Sequence, residues 1–84
     1  MYRIEYSKQS IRTLMRMPTN TAALIRRKVE AMAQNPFAAR GVKKLVGSDG
    51  YRLRVGGWRV LYLVDGDRLL VAVLKIGPRG EVYQ

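Results

Sequence analysis

The sequence contains no cysteine and no histidine. The absence of cysteine excludes disulfides, thiol catalysis and cysteine-ligated zinc, and the absence of histidine removes the side chain that ordinarily titrates near neutral pH. Any catalysis must depend on other side chains, and we expect neither a metal nor a cofactor. No apolar N-terminal stretch resembles a signal peptide and no long apolar run could cross a membrane, which favours a cytoplasmic protein without a membrane partner.

Acidic residues are also scarce. The chain has 16 lysines and arginines against 6 aspartates and glutamates, a net charge of +10 in 84 residues. Such an excess destabilises a compact state by self-repulsion and commonly accompanies a polyanionic partner. Composition favours nucleic acid, although a solubilising surface or a face that docks an acidic protein would have the same balance. The length allows one hydrophobic core, and therefore a single domain over residues 1–84.

The first part of the chain predicts one strand and then a helix. Alternation of Tyr2, Ile4 and Tyr6 with charged residues is typical of a half-buried strand. Ser7 can cap a helix that ends before Pro18. Its apolar stripe is predicted to contain Ile11, Leu14 and Met15.

A second helix is predicted to begin at a cap formed by Thr19 or Asn20 and to stop at Asn35-Pro36. Two such helices are expected to form an antiparallel pair that covers one face of a sheet. The methionines of this region are interpreted as core filler, with no sign of a cofactor site: Met15, Met17 and Met32.

Residues 37–49 show no clear periodicity and are predicted to connect the helices to the sheet. The strongest local signal follows, where two alternating segments are joined by Gly56-Gly57, a pair suited to a two-residue hairpin turn. The turn fixes the register, with Arg54 opposite Arg59 and Arg52 opposite Leu61. One face of this hairpin is then apolar, and the other carries the arginine cluster of Arg52, Arg54 and Arg59.

Like charges directly across a sheet are unfavourable by about 0.2 to 1 kcal/mol. An anion between the guanidinium groups would explain the arrangement, because arginine matches the geometry of phosphate oxygens. A solvated face with splayed side chains is the alternative.

The last part of the chain predicts a buried, central strand at residues 69–74, broken by Gly77-Pro78, and then a short extended piece. A bend at Gly77-Pro78 could return Arg79 and Tyr83 to the arginine cluster. A loop arginine is also commonly just exposed, and a terminal tyrosine commonly lies in a core or at its rim.

Residues 50–62 and 75–83 together resemble the RelE/ParE superfamily of toxins from bacterial toxin–antitoxin pairs, and the resemblance spans nearly the whole chain. It implies a single RelE-like toxin domain of the α+β class. The expected architecture is two N-terminal antiparallel helices packed on one face of a curled, mainly antiparallel sheet of about four to five strands.

The superfamily contains ribosome-dependent messenger-RNA endonucleases and DNA gyrase poisons, so membership alone does not settle activity. RelE-type enzymes keep basic residues at positions matching Arg52, Arg54 and Arg59, and a late arginine and tyrosine matching Arg79 and Tyr83. ParE-type toxins generally lack the full set. The resemblance therefore implies an mRNA interferase, a metal-independent endoribonuclease that inhibits translation, with these residues as its catalytic group.

In that reaction the ribose 2′-hydroxyl attacks its own 3′ phosphodiester, leaving a 2′,3′-cyclic phosphate and a 5′-hydroxyl. The resemblance implies that Arg54 and Arg59 stabilise the phosphate, that Arg79 lies near the leaving oxygen and that Tyr83 stacks on or orients a base. RelE itself has lysines at the positions of Arg52 and Arg54, and a guanidinium does not readily accept a proton. Three alternatives therefore stay open: the general base is weak, Tyr83 or ribosomal RNA assists the proton transfer, or the rate comes mainly from electrostatics.

The basic pair Lys43 and Lys44 is assigned, with Arg52 and Arg54, to RNA or ribosome binding. The implied partners are a cognate antitoxin, the ribosome and mRNA, and a DNA-binding complex formed through the antitoxin is left open. Two other functions remain: a ParE-like gyrase poison and a non-catalytic basic module that binds RNA or the antitoxin.

Overall fold

The computed structural model describes residues 1–78, which form two helices and five strands. In chain order these are β1 (Arg3–Tyr6), α1 (Lys8–Arg16), α2 (Thr19–Met32), β2 (Val42–Lys44), β3 (Tyr51–Val55), β4 (Trp58–Asp65) and β5 (Leu70–Pro78). The spatial order of the strands is β1-β5-β4-β3-β2, with β1 parallel to β5 and the other neighbours antiparallel. The predicted α+β architecture is confirmed: both helices pack on one face of an open, curled sheet.

The core lies between the helices and the apolar face of the sheet. Ile25 and Val29 of α2 and Val60 and Tyr62 of β4 are all fully buried. The Tyr62 hydroxyl donates a hydrogen bond of 2.7 Å to the carbonyl of Pro36. Burial raises the pKa of Tyr62 well above its usual value, and neighbouring Tyr51 adds a smaller increase. The aromatic side chain thus anchors β4 to the segment that follows α2.

Side chains of α1 and its cap continue the hydrogen bonding of β5 beyond the end of β1. Because β1 pairs only with Leu70 to Val73, the later part of β5 has no strand neighbour on that side among residues 1–78. Ser7 caps α1, as predicted, and its hydroxyl also donates to the carbonyl of Leu74 at 2.7 Å. The Gln9 amide then bonds both backbone groups of Ile76, each at 3.1 Å.

Two predictions about the helices were wrong. The N-cap of α2 is Pro18, so neither Thr19 nor Asn20 caps the helix. The Pro18 φ of −55° leads directly into helical geometry, and its carbonyl closes the first turn with the backbone N–H of Ala22 at 3.0 Å. The predicted apolar stripe of α1 is also not buried as a whole, because Ser10 and Leu14 are the positions that face the core. Met15 is 75% exposed and is not core filler, and Ile11 is 45% exposed. Met17 and Met32 are buried, as predicted.

The sheet also differs from prediction in two places. The segment predicted to be a connection contains β2, which pairs with β3 and brings the Gly41 carbonyl within 3.0 Å of the Arg54 N–H. β5 is interior, as predicted, but β4 is the middle strand, and β5 continues through Pro78 instead of breaking at Gly77. Leu69 and Leu74, both predicted to be buried, are each 46% exposed. Leu69 precedes β5 and has a φ of 50°, and a register shift interrupts the pairing of β4 with β5 at Leu74.

The predicted C-terminal extended piece lies outside the described residues. Within residues 1–78, neither helix is long and apolar enough to span a membrane.

Candidate nucleic-acid interface

The β3–β4 hairpin places the arginine cluster on the face of the sheet opposite the helices, here called the open face. Gly56 has a φ of +57°, as the tight turn requires, and Arg54 pairs with Arg59 across the strands. Arg52 pairs with Leu61. The predicted register is confirmed, because the turn and the alternation of apolar residues both act locally.

Lysines of the neighbouring strands extend this basic face. Lys43 on β2 pairs with Arg52, and Lys75 on β5 pairs with Leu61, so both register positions belong to the open face. Lys44 belongs to the other face, where its ammonium lies 5.1 Å from the ring centroid of Tyr51. The predicted lysine pair is therefore divided between the two faces of the sheet.

Sequence reasoning missed Lys75. It lies beyond the register shift near Leu74, so simple alternation along β5 does not indicate its face. The pairing of β4 with β5, which only the tertiary structure shows, places Arg59 opposite Gly77, so Lys75 lies on the neighbouring strand two residues from the partner of Arg59.

The three arginines have different surroundings. Arg54 is exposed and Arg52 is half-buried. Arg59 is only 4% exposed, and its Nη1 donates to the Trp58 carbonyl at 3.1 Å and to the Gly56 carbonyl at 3.4 Å. The Nε of Arg52 is buried and has no hydrogen-bond partner among the described residues.

No carboxylate in residues 1–78 forms a salt bridge with the arginine cluster. The salt bridge found in these residues joins Arg3 and Glu5, on β1, at 3.5 Å. Burying a charge or a donor without compensation is costly, and an anion shared by the guanidinium groups would offset that cost. Arginine keeps its positive charge at any physiological pH. The arrangement is suited to holding a phosphate group.

Arg79 and Tyr83 lie outside the described residues. Their position near the arginine cluster therefore stays a prediction.

Similarity to known proteins covers almost the full length of the chain. Residues 4–83 match the family described as the ParE toxin of the type II toxin–antitoxin system parDE. A Methanocaldococcus jannaschii protein named RelE1, a candidate toxin, is 29% identical over 86 residues, covering 99% of this chain and 96% of the relative.

Two solved structures share the fold. The archaeal RelE–RelB complex from Pyrococcus horikoshii contains a chain that superposes with a TM-score of 0.82 at 29% identity, covering 95% of this chain and 97% of that one. The RelBE2 toxin–antitoxin complex of Mycobacterium tuberculosis contains a chain with a TM-score of 0.81 at 22% identity, covering 93% and 98%.

Proposed function

The chain belongs to the ParE toxin family, within the RelE/ParE superfamily of type II toxin–antitoxin toxins, and we propose that it is a ribosome-dependent mRNA endonuclease of the RelE type. The observation that carries the proposal is the arginine cluster. Its buried guanidinium, Arg59, and its buried unpaired donor, Arg52 Nε, have no carboxylate partner among the described residues. A phosphodiester would supply the missing negative charge.

The proposed reaction is attack of a ribose 2′-hydroxyl on its own 3′ phosphodiester. The 2′-oxygen forms a bond to phosphorus, the bond to the 5′-oxygen breaks, and the products are a 2′,3′-cyclic phosphate and a 5′-hydroxyl. Arg54 and Arg59 stabilise the charge that develops on the phosphorane oxygens, a task that fixed guanidinium groups perform by electrostatics. Arg52 holds the flanking backbone, while Arg79 near the leaving oxygen and Tyr83 on a base complete the proposed site.

Mapping of mRNA ends on translating ribosomes tests this proposal. Wild type is expected to cleave in the ribosomal A site, and Arg54→Gln is expected to lower the rate about 100- to 1000-fold, the range for loss of one donor to the developing charge. Arg68→Gln is the matched control, because Arg68 is an exposed arginine at the β4–β5 turn, away from the arginine cluster.

Arg59→Met separates chemistry from folding. An apolar side chain of similar length removes a buried charge that has no carboxylate partner among the described residues, so the variant should fold and yet lose cleavage. Wild-type cleavage that persists in both Arg54→Gln and Arg59→Met would contradict the proposal.

A gyrase poison is the second candidate, because the matching family is described as the ParE toxin. Inhibition of supercoiling by purified gyrase distinguishes the two. Inhibition that survives Arg54→Gln, with no mRNA cleavage, would favour the ParE-type activity. RNA binding without either activity would instead indicate a non-catalytic basic module.

The proposal includes a cognate antitoxin as partner and the cytoplasm as location. Several solved relatives are toxin–antitoxin complexes, including the Pyrococcus horikoshii and Mycobacterium tuberculosis assemblies. An antitoxin with acidic segments would complement the open face of the sheet and compete with RNA for the arginine cluster.

A further inference from the structure

A groove of about 670 Å³ opens at the sheet end nearest the Gly56-Gly57 turn, between α1 and the last residues of β5. Its polar wall includes Gln9 and Thr13, whose side chains are hydrogen-bonded to each other at 3.1 Å. The Gln9 amide is also held by both backbone groups of Ile76. This wall is therefore fixed in place before any ligand binds.

An aromatic ring and two cations complete the groove. Trp58, at the start of β4, is half-buried and forms part of the lining, together with Met17 and Ile76. Arg16 at the end of α1 and Lys75 on β5 line it as well. Neither cation forms a salt bridge within residues 1–78.

We infer that this groove binds a single unstacked nucleotide of an RNA strand, with the base against Trp58 and the phosphate against Arg16 and Lys75. An aromatic face next to positive charge is the combination with which proteins bind single-stranded nucleic acid, because every base has a stacking face and every nucleotide carries a phosphate. The volume lies within the range of small-molecule sites.

The groove lies at the same end of the sheet as Arg59 of the arginine cluster. Trp58 and Arg59 are consecutive on β4, so their side chains leave opposite faces of the sheet at the same end. Lys75 belongs to both places, since it lines the groove and its register position is on the open face. A strand held by the arginine cluster could thus pass around this end of the sheet and place a neighbouring base in the groove.

The choice of RNA as the ligand rests on the proposed function, but its test requires neither ribosomes nor cleavage. Trp58 is the only tryptophan in the chain, so its fluorescence reports on the groove directly. Titration with nucleoside monophosphates is expected to quench the emission, with purines stronger than pyrimidines. Ribose 5-phosphate, which has the phosphate but no base, is expected to leave the emission unchanged.

Variants test the contribution of each side chain. Arg16→Gln should weaken quenching by mononucleotides, whereas Arg12→Gln, an exposed arginine on α1 that does not line the groove, should not. Binding of a labelled RNA with 2′-O-methyl riboses should weaken about 5- to 150-fold in Trp58→Leu and much less in Trp58→Phe, which retains a stacking ring.

Unchanged Trp58 emission at high nucleotide concentration, or equal quenching by ribose 5-phosphate, would overturn the inference. Equal losses in Arg16→Gln and Arg12→Gln would also overturn it. If nucleotides do not quench Trp58 but mRNA is cleaved, the groove inference is wrong and the proposed nuclease activity is unaffected. If nucleotides quench Trp58 but mRNA is not cleaved, nucleotide binding in the groove is supported and the proposed nuclease activity is contradicted.

Discussion

At Arg59, a positive charge is held by carbonyl groups of its own hairpin and is almost completely buried. The same carbonyl contacts fix the guanidinium in one position before any ligand arrives. A preorganised donor of this kind loses little conformational entropy when it binds an anion. Arg54, opposite it, is exposed, so in the proposed site its side chain would become ordered only when the anion binds.

Tyr62 supports a prediction about stability. Loss of its hydroxyl in Tyr62→Phe leaves the Pro36 carbonyl unpaired, which should lower the free energy of unfolding by about 1 to 3 kcal/mol in chemical denaturation at neutral pH. Because the folded protein raises the pKa of Tyr62, the folded state favours the neutral phenol. The contribution of the neutral Tyr62 phenol to the free energy of unfolding is complete below the ordinary tyrosine pKa of 10.0 and is lost as the pH rises above that value.

Wild type should therefore lose stability in alkaline solution more steeply than Tyr62→Phe. Tyr51→Phe is the control, since it changes the stacked neighbour and leaves the Tyr62 hydrogen bond in place. Identical alkaline profiles for wild type and Tyr62→Phe would contradict the assignment.

At the level of elements, α1 is joined to β5 by Gln9, which hydrogen-bonds the β5 backbone beyond the point where the pairing with β1 ends. Gln9→Ala should lower the free energy of unfolding by about 1 to 3 kcal/mol, because the backbone groups of Ile76 lose their partners. Faster amide hydrogen exchange at Ile76 should accompany the loss. Gln34→Ala, an exposed glutamine after α2, should change neither measurement.

The elements also show which features a sequence can predict. The β3–β4 hairpin was predicted with its register because its turn and its alternation are encoded in adjacent residues. β2 was missed because Val42 is followed by two lysines, and its pairing with β3 depends on a partner distant in sequence. The open-face position of Lys75 and the burial of Arg59 likewise depend on tertiary packing, although the residue types of the arginine cluster were evident from sequence.

Across the whole molecule, positive charge is not confined to the proposed site. The outward side of the helices carries exposed cations, while the open face carries the arginine cluster. The helical cations are Lys8, Arg12, Arg16, Arg26, Arg27 and Lys28. The net charge of +10 should therefore attract RNA from many directions, and the arginine cluster should select where it binds.

This distribution predicts a steep salt dependence for RNA binding. The logarithm of the association constant for single-stranded RNA should fall linearly with the logarithm of salt concentration, with a slope of about 0.7 per phosphate contacted. Arg54→Gln should reduce that slope by about one contact, as measured by fluorescence anisotropy at several salt concentrations. An unchanged slope would mean that Arg54 does not contact the RNA backbone. Glu30→Gln is the control and should leave the slope unaltered, because Glu30 is an exposed carboxylate on α2, on the other side of the sheet from the arginine cluster.

The parallel pairing of β1 with β5 joins Arg3–Tyr6 to Leu70–Val73, across most of the sequence. During synthesis, the β3–β4 hairpin can form as soon as its own residues have left the ribosome, because its contacts are local. The β1 edge of the sheet, the anchorage of α1 and the Trp58 groove can form only after β5 has been synthesised. A nascent chain can thus display the arginines of its hairpin early, but the folded toxin domain exists only after β5 has also left the ribosome.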